Sequence, residues 1–268
     1  MVAGSANAAL KLHWQMDSAD DFALGDGTGG SYAGRLYVDN KVTGVKYSGM
    51  TSDTANVFFD AAAGALRMQT AGARSVMGQL TNDPTAGIFT SGTQYTFSVR
   101  AKADMAQVTG NGYGFYVKSA TGYIFKSDLS FKPANAACFG APGASWENNA
   151  YNIWDPTKPE KYVDPTTWNM YTFTWDADNN MIRTYVNGIL RASYAGPGGD
   201  VPSFNPATIT SWGFGSSEWG ANLPGGWYKD FRVYNNALTE AEVAALVPEP
   251  ATLVLLGLGG LTLIRKRK

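Results

Sequence analysis

The 268-residue sequence predicts an all-β protein: a two-sheet antiparallel sandwich with one short C-terminal helix, followed by a hydrophobic tail helix. Three observations predict it. Short segments alternating apolar and polar residues recur between turn signals from Leu10 to Tyr234, as half-buried strands do. Glycine, tyrosine, tryptophan, phenylalanine and threonine are abundant, and leucine-rich helical periodicity is missing outside the tail. Asn187-Gly188 separates two alternating runs. Both residues of such a turn take positive φ, which makes the pair the strongest short hairpin signal. Without the tail roughly 240 residues remain, enough for a sizeable core, and all-β domains of that size are often undivided.

In chain order, Leu10, Leu12, Trp14 and Met16 alternate with Lys11, His13 and Gln15 as a first strand, and the acidic, glycine-rich stretch 17–31 is loop. Strands are expected at Tyr32–Val38, Val42–Tyr47, Val57–Phe59 and Leu66–Gln69, between Gly, Asp and Asn breaks. Tyr95, Phe97, Val99 and Ala101 alternate with Thr96, Ser98, Arg100 and Lys102 in the cleanest strand. Gly114–Lys118 and Tyr123–Lys126 form a hairpin across Thr121-Gly122. The stretch Lys132 to Thr167 is rich in Pro, Asn and Trp and has no sustained period, and loops of such length are usually functional. The pattern returns at Tyr171–Trp175, Met181–Val186, Ile189–Tyr194, Ile209–Gly215 and Trp227–Tyr234. Thr239-Glu240-Ala241-Glu242 is a capping box starting a short helix whose Val243 and Leu246 close over the core. Trp14, Trp168, Trp175 and Trp212 are expected in the core, and so many short strands with one late helix make a jelly roll.

The run from Trp168 to Trp175, then Tyr185-Val186-Asn187-Gly188, Phe214-Gly215, and finally Asp230-Phe231-Arg232-Val233-Tyr234-Asn235-Asn236-Ala237-Leu238-Thr239-Glu240-Ala241-Glu242-Val243 resembles the laminin-G-like, concanavalin A-like jelly-roll superfamily. The resemblance is detailed from Trp168 to Leu246, and only architectural from Leu10 to Lys126. In the closing run Phe231 and Val233 point inward, Arg232 and Tyr234 outward, and Ala237 and Leu238 tuck the exit turn against the sheet.

The resemblance implies two chemistries to look for. Laminarinase-type glucanases carry an E-x-D-x-x-E strand that sets their acids on one face, and this chain has no such strand. Its glutamates are scattered, and its single histidine, His13, lies on the polar side of the first strand as a surface or edge residue with no serine motif. No phosphate-binding glycine motif is present, since GDGTGG precedes neither a helix start nor a lysine. The reading is therefore non-enzymatic, with a divergent glycoside hydrolase or lyase as the alternative. Relatives often hold structural calcium with carboxylates and carbonyls. Asp17, in an acidic loop with Asp20, Asp21 and Asp26, and Asp230 are the candidate ligands here. Lys229 stands where many relatives have a core-facing acid, and a solvated acidic turn is the competing reading.

Binding rests on aromatics, whose faces dock sugar rings while amides and carboxylates take the hydroxyls. Trp146, Asn148, Asn149, Tyr151 and Trp154 supply both ingredients in the long loop, and Glu218 and Trp219 form a second group; packing under the loop is the competing role for these tryptophans. Acidic and basic residues nearly cancel, so nucleic acid is not an expected partner. Cys138 is the only cysteine, which excludes an internal disulfide and leaves a small buried apolar residue as its reading.

The chain ends in Pro248-Glu249-Pro250, an uncharged stretch from Ala251 to Ile264, and the basic tail Arg265, Lys266, Arg267 and Lys268. Such a run is shorter than the about 20 residues of a comfortable span, and its terminal cations stay on the cytoplasmic side. The three parts resemble the PEP-CTERM sorting signal of exopolysaccharide-producing bacteria. That resemblance implies export, an exosortase-type processing enzyme as partner, transient membrane anchoring, and association with exopolysaccharide and biofilm. Ala6-Asn7-Ala8 fits a signal-peptidase cleavage site. The organisation expected is residues 1–8 as a signal-peptide remnant or flexible N-terminus, 9–246 as the jelly-roll domain and 247–268 as the sorting or anchor segment. The function expected is an exported surface or matrix protein that binds polysaccharide, with a purely structural or adhesive module as a further alternative.

Overall fold

The computed structural model describes residues 9–18, 37–42, 45–48, 57–69, 78–80, 88–89, 92–107, 113–119, 122–128, 139–140, 163–195, 209–214 and 225–247. Within them the strands are β1 (Leu10–Trp14), β2 (Tyr37–Asn40), β3 (Val45–Ser48), β4 (Val57–Asp60), β5 (Ala65–Met68), β6 (Gly78–Leu80), β7 (Gln94–Ala103) and β8 (Tyr113–Ser119). They continue as β9 (Gly122–Asp128), β10 (Phe139–Gly140), β11 (Asn169–Asp176), β12 (Met181–Val186), β13 (Ile189–Ala195), β14 (Ile209–Phe214) and β15 (Gly226–Tyr234), and the helix α1 is Glu240–Ala245. β6 and β10 were not expected; at three and two residues they are too short to show a period.

An eight-stranded sheet runs β13-β12-β11-β7-β15-β5-β4 with β1 also on β15, and a five-stranded sheet runs β10-β9-β8-β14-β6. β2 and β3 form a separate pair, and every pairing is antiparallel. This is the predicted two-sheet sandwich. β1, β4 and β5 come early in the chain yet hydrogen-bond into the sheet completed by β15.

β7 sits between β11 and β15, and its alternation decides the two faces of the large sheet. On the core face Tyr95, Phe97 and Val99 lie opposite Trp175, Phe173 and Tyr171, all buried. The Tyr95 and Phe97 rings stack at 6.2 Å, and Phe89 tilts against both. Leu12 and Trp14 of β1 add to this face opposite Val233 and Phe231. Each such side chain contributes about 1.5–3 kcal/mol on burial.

The outer face carries Thr96, Ser98, Arg100 and Lys102. Thr96 is buried because the chain after β15 folds back across it, and Ser98, also buried, meets the Met170 sulfur at 3.0 Å. The Thr96 hydroxyl donates to the Asn236 carbonyl (2.7 Å) and accepts from the Leu238 amide (2.9 Å). α1 then packs Val243 on Tyr185, Tyr234 and Leu238, with Leu10 and Leu246 at the margin. Tyr234 is thus outward-pointing as expected, yet covered. The capping box forms: Thr239 Oγ1 accepts from the Glu242 amide, and the Glu242 carboxylate accepts from the Thr239 amide. At the hairpin tip Asn187 and Gly188 have φ of 51° and 76°. A Cβ on Gly188 would stand 2.9 Å from the Ala244 backbone, so the turn residue also admits the helix.

Among the described residues no helix is long and apolar enough to cross a membrane; the run 251–264 lies outside them.

Candidate functional site

The other half of the outer face is organised by a defect in β15. Lys229 lies opposite Arg100, but Arg232 lies opposite Ser98, so β15 spends one residue more than β7 over the same span. The extra residue is Asp230, at φ 55°. Such a bulge shifts the face a side chain occupies, and bulges concentrate beside functional sites. Here it brings Asp230 and Arg232 to the outer face that Lys229 occupies, while Phe231 stays in the core. The bulge also marks a change of neighbour. Gly226 to Tyr228 pair with β5, Phe231 to Tyr234 pair with β1, and the Asp230 amide donates to the Gln15 carbonyl at 2.8 Å. One residue further along β1's exit, Met16 is also left-handed, at φ 58°, with its side chain fully buried. Non-glycine residues in this region cost about 1–3 kcal/mol each and collect at functional sites.

Between the end of β1 and the bulge lies a cavity of about 240 Å³. His13, Gln15 and Asp17 form one wall, Arg100 the floor on β7, and Lys229, Asp230 and Arg232 the other wall. Asp230 is already held. The Arg232 guanidinium binds it two-pronged, Nε to Oδ1 at 2.7 Å and Nη2 to Oδ2 at 2.9 Å, and His13 Nε2 meets Oδ1 at 2.8 Å. Burial would push the Asp230 carboxyl up; the His13 hydrogen bond and Arg232 outweigh it and keep the carboxyl below its ordinary range. Lys229 is shifted the other way: burial first, then the neighbouring Arg100, lower its ammonium from the ordinary lysine range, against a smaller pull from Asp17 and Asp230.

Two tryptophans stand among these cations. Lys229 Nζ is 4.4 Å and the Arg100 guanidinium 5.9 Å from the Trp168 ring centre. Trp227, opposite both Arg67 and Lys102 in register, has the Arg67 guanidinium at 3.9 Å and Lys102 Nζ at 4.6 Å. Arg67 is buried and ion-paired with Asp104, and the Trp227 indole donates to Asp60 at 2.8 Å. Charge and aromatic surface are therefore interleaved along β5, β15 and β7. Each cation–ring contact is worth about 0.5–1 kcal/mol at an exposed site.

Several expectations are corrected. Trp14 and Trp175 are core, but Trp168 is half-buried on the outer face, because it shares the parity of Met170 and Thr172 and meets the Arg100 and Lys229 cations. Lys229 does not face the core: it alternates outward with Trp227 opposite Arg100, and the bulge separates it from the parity of Phe231. Asp17 and Asp230 share the cavity as the calcium reading required, but among the described residues the donor set does not fit the ion; Asp20, Asp21 and Asp26 of the same loop lie outside them. Calcium takes six to eight oxygens, whereas both Asp230 oxygens are bound by Arg232 and His13, and Arg100 and Lys229 stand alongside. Among the described residues no group of three or more His, Cys, Asp or Glu could hold a metal. Trp146, Asn148, Asn149, Tyr151, Trp154, Glu218, Trp219, Cys138, Pro248 to Pro250 and Arg265 to Lys268 lie outside the described residues, as does the side chain of Trp212. Sequence reading passed over Arg100 and Trp168 as site residues. The signal was present in Lys229-Asp230, two polar residues in a row in an otherwise alternating strand, which is how a bulge looks in sequence.

Solved structures similar to this fold include domain 4 of the extracellular GH43 arabinanase AbnA from Geobacillus stearothermophilus, solved with arabinotriose (18% identity, TM-score 0.51, covering 90% of this chain and 99% of that one). The binding domain of botulinum neurotoxin serotype D/C (12%, 0.54, 89% and 51%) and Trypanosoma rangeli sialidase (10%, 0.56, 88% and 32%) are further examples. At these identities the likeness is one of fold. A search of curated proteins finds no match. A PEP-CTERM protein-sorting motif matches residues 246–268, which marks the chain for export with a membrane-associated C-terminal segment and exosortase processing. With the corresponding family model matching residues 78–244, more than half of the sequence, the protein belongs to the concanavalin A-like lectin/glucanases superfamily.

Proposed function

We propose that this is a non-enzymatic protein of the cell surface or extracellular matrix that binds polysaccharide through its jelly-roll domain, residues 9–246, after delivery by the segment 247–268. The observation that carries the reading is the union, in one chain, of a lectin/glucanase-superfamily domain with a sorting motif for export. The sugar-bound state of the arabinanase domain, 99% of which is covered, supports a glycan as ligand.

Asp230 in the open face does not have the state of a hydrolase's general acid. A glycosidase keeps one carboxyl protonated near neutral pH to serve as acid. Asp230 is instead held ionised by His13 and Arg232. Trp146, Asn148, Asn149, Tyr151, Trp154, Glu218 and Trp219 are proposed as a second contact surface on the composition of their loops.

Two measurements test this. Fractionation of the native host, with mass spectrometry of the C-terminus, should find the protein outside the cytoplasm with the basic tail removed. The intact polypeptide, soluble in the cytosol, would end the reading. On a glycan array the protein should bind polysaccharide without releasing reducing ends, and Trp154→Ala or Trp219→Ala should weaken binding by about 1–3 kcal/mol, by analogy with base stacking. An array without a hit, or tryptophan variants that lose stability equally, would count against it.

A further inference from the structure

We infer that the cavity at the β15 bulge receives the anionic group, carboxylate or sulfate, of an acidic polysaccharide. The inference deepens the proposed function by naming the ligand class, and it rests on that reading. Arg232 is spent on Asp230, but among the described residues neither Arg100 nor Lys229 forms an ion pair. These two cations face each other in register across β7 and β15, within one cavity. Arg100 presents a planar fork that matches an oxyanion two-pronged, and Lys229 a mobile point charge. Lys229 keeps the outward parity of Trp227, and the bulge that follows it brings Asp230 and Arg232 to the same face. A cavity of about 240 Å³ holds roughly eight water volumes. That is room for an anionic substituent with part of its sugar ring, beside the Trp168 edge of the site.

The depressed Lys229 ammonium is consistent with this. Burial and Arg100 both disfavour its charge, and a bound anion relieves each. Asp17, exposed on the cavity wall, opposes an anion and so sets the sign of one test.

The purified full-length chain would be titrated with polygalacturonate, dextran sulfate and neutral dextran at low and high salt. The expected result is binding to polygalacturonate or dextran sulfate, with neutral dextran much weaker; the better of the two polyanions identifies the group. Lys229→Gln and Arg100→Gln should each weaken that binding about tenfold or more with melting temperature unchanged. Arg183→Gln, a charge on the same sheet away from the cavity, should leave binding as it was. Asp17→Asn should tighten it, and EDTA should have no effect. Binding of neutral dextran equal to that of the polyanions, unaffected by Lys229→Gln and Arg100→Gln, would overturn the inference while the proposed function stood. Loss of binding with Asp17→Asn or EDTA would replace the anion by a metal ion and overturn it too. Tighter binding to single-stranded DNA than to either glycan would do the same. No binding to any glycan, neutral or acidic, there or on the array, would remove both.

Discussion

The outer face of the large sheet is laid down by the same central strands throughout, yet one half is sealed and the other is open. In the sealed half Thr96, Tyr185 and Tyr234 lie under Leu238 and Val243. In the open half Arg100, Lys102, Lys229 and Trp227 occupy equivalent outward positions on β7 and β15. What differs between Thr96 and the cations is how the polar group can be satisfied. The Thr96 hydroxyl is completed by one carbonyl and one amide of the returning chain, so that segment can lie flat on it. A guanidinium or ammonium cannot be closed over in this way, because desolvating an unpaired charge costs far more than desolvating a hydroxyl. The boundary between the halves is therefore written in side-chain type, and register alone would not reveal it.

The sharpest way to break the comparison is to cut into the sealed half. Leu238 is 5% exposed, and Leu238→Ala should cost about 2–5 kcal/mol, as large-to-small core changes do. Lys102→Ala in the open half should cost no more than about 1 kcal/mol, the worth of its contact with Trp227. Chemical denaturation of both variants measures the contrast, and equal losses would mean that the open half is as much core as the other.

Next in size is Asp230→Asn, which leaves Arg232 and His13 without their carboxylate; asparagine tolerates the left-handed backbone there. The cost should be about 2 kcal/mol at neutral pH. Because the folded carboxyl titrates below its ordinary value of 3.8, its contribution is full above that pH and is lost as pH falls through the folded value. The difference between wild type and variant should therefore close in strong acid. A difference that stayed constant down to that range would assign the loss to shape instead of charge. Smaller again is Thr239→Ala, which removes the capping box of α1 and should cost about 1 kcal/mol through the sealed half alone. Binding to a polyanion should not change.

Much of the sandwich was legible because its strands obey period two. Met181–Val186 coincides with the observed strand, and the Asn187-Gly188 turn and Thr239 cap are local chemistry that needs no tertiary knowledge. The site was less legible. His13 and Asp230 are 217 residues apart in sequence and meet only because β1 pairs with β15. Lys229 read as a flaw in a calcium site because alternation was carried straight through the bulge. Trp168 read as core because a tryptophan beside a strand usually is, and nothing local announced two cations opposite it.

The smallest expected effect separates the halves most cleanly. Lys229→Gln removes a charge whose folded pKa lies below the ordinary 10.5, so the folded state binds that proton less well than the unfolded chain. Keeping Lys229 charged therefore costs stability at neutral pH, and the cost fades as pH rises from its folded value toward 10.5. The variant should match wild type or exceed it by at most about 0.5 kcal/mol, since the group is part-exposed and salt-screened. The lost contact with Trp168 offsets part of even that gain. In the sealed half removal of Thr96, Tyr185 or Tyr234 should not be free, because each lies under the returning chain. A Lys229→Gln variant that melted several degrees lower would make the lysine a structural tie, and the open half would then be held together by its cations and not merely lined with them.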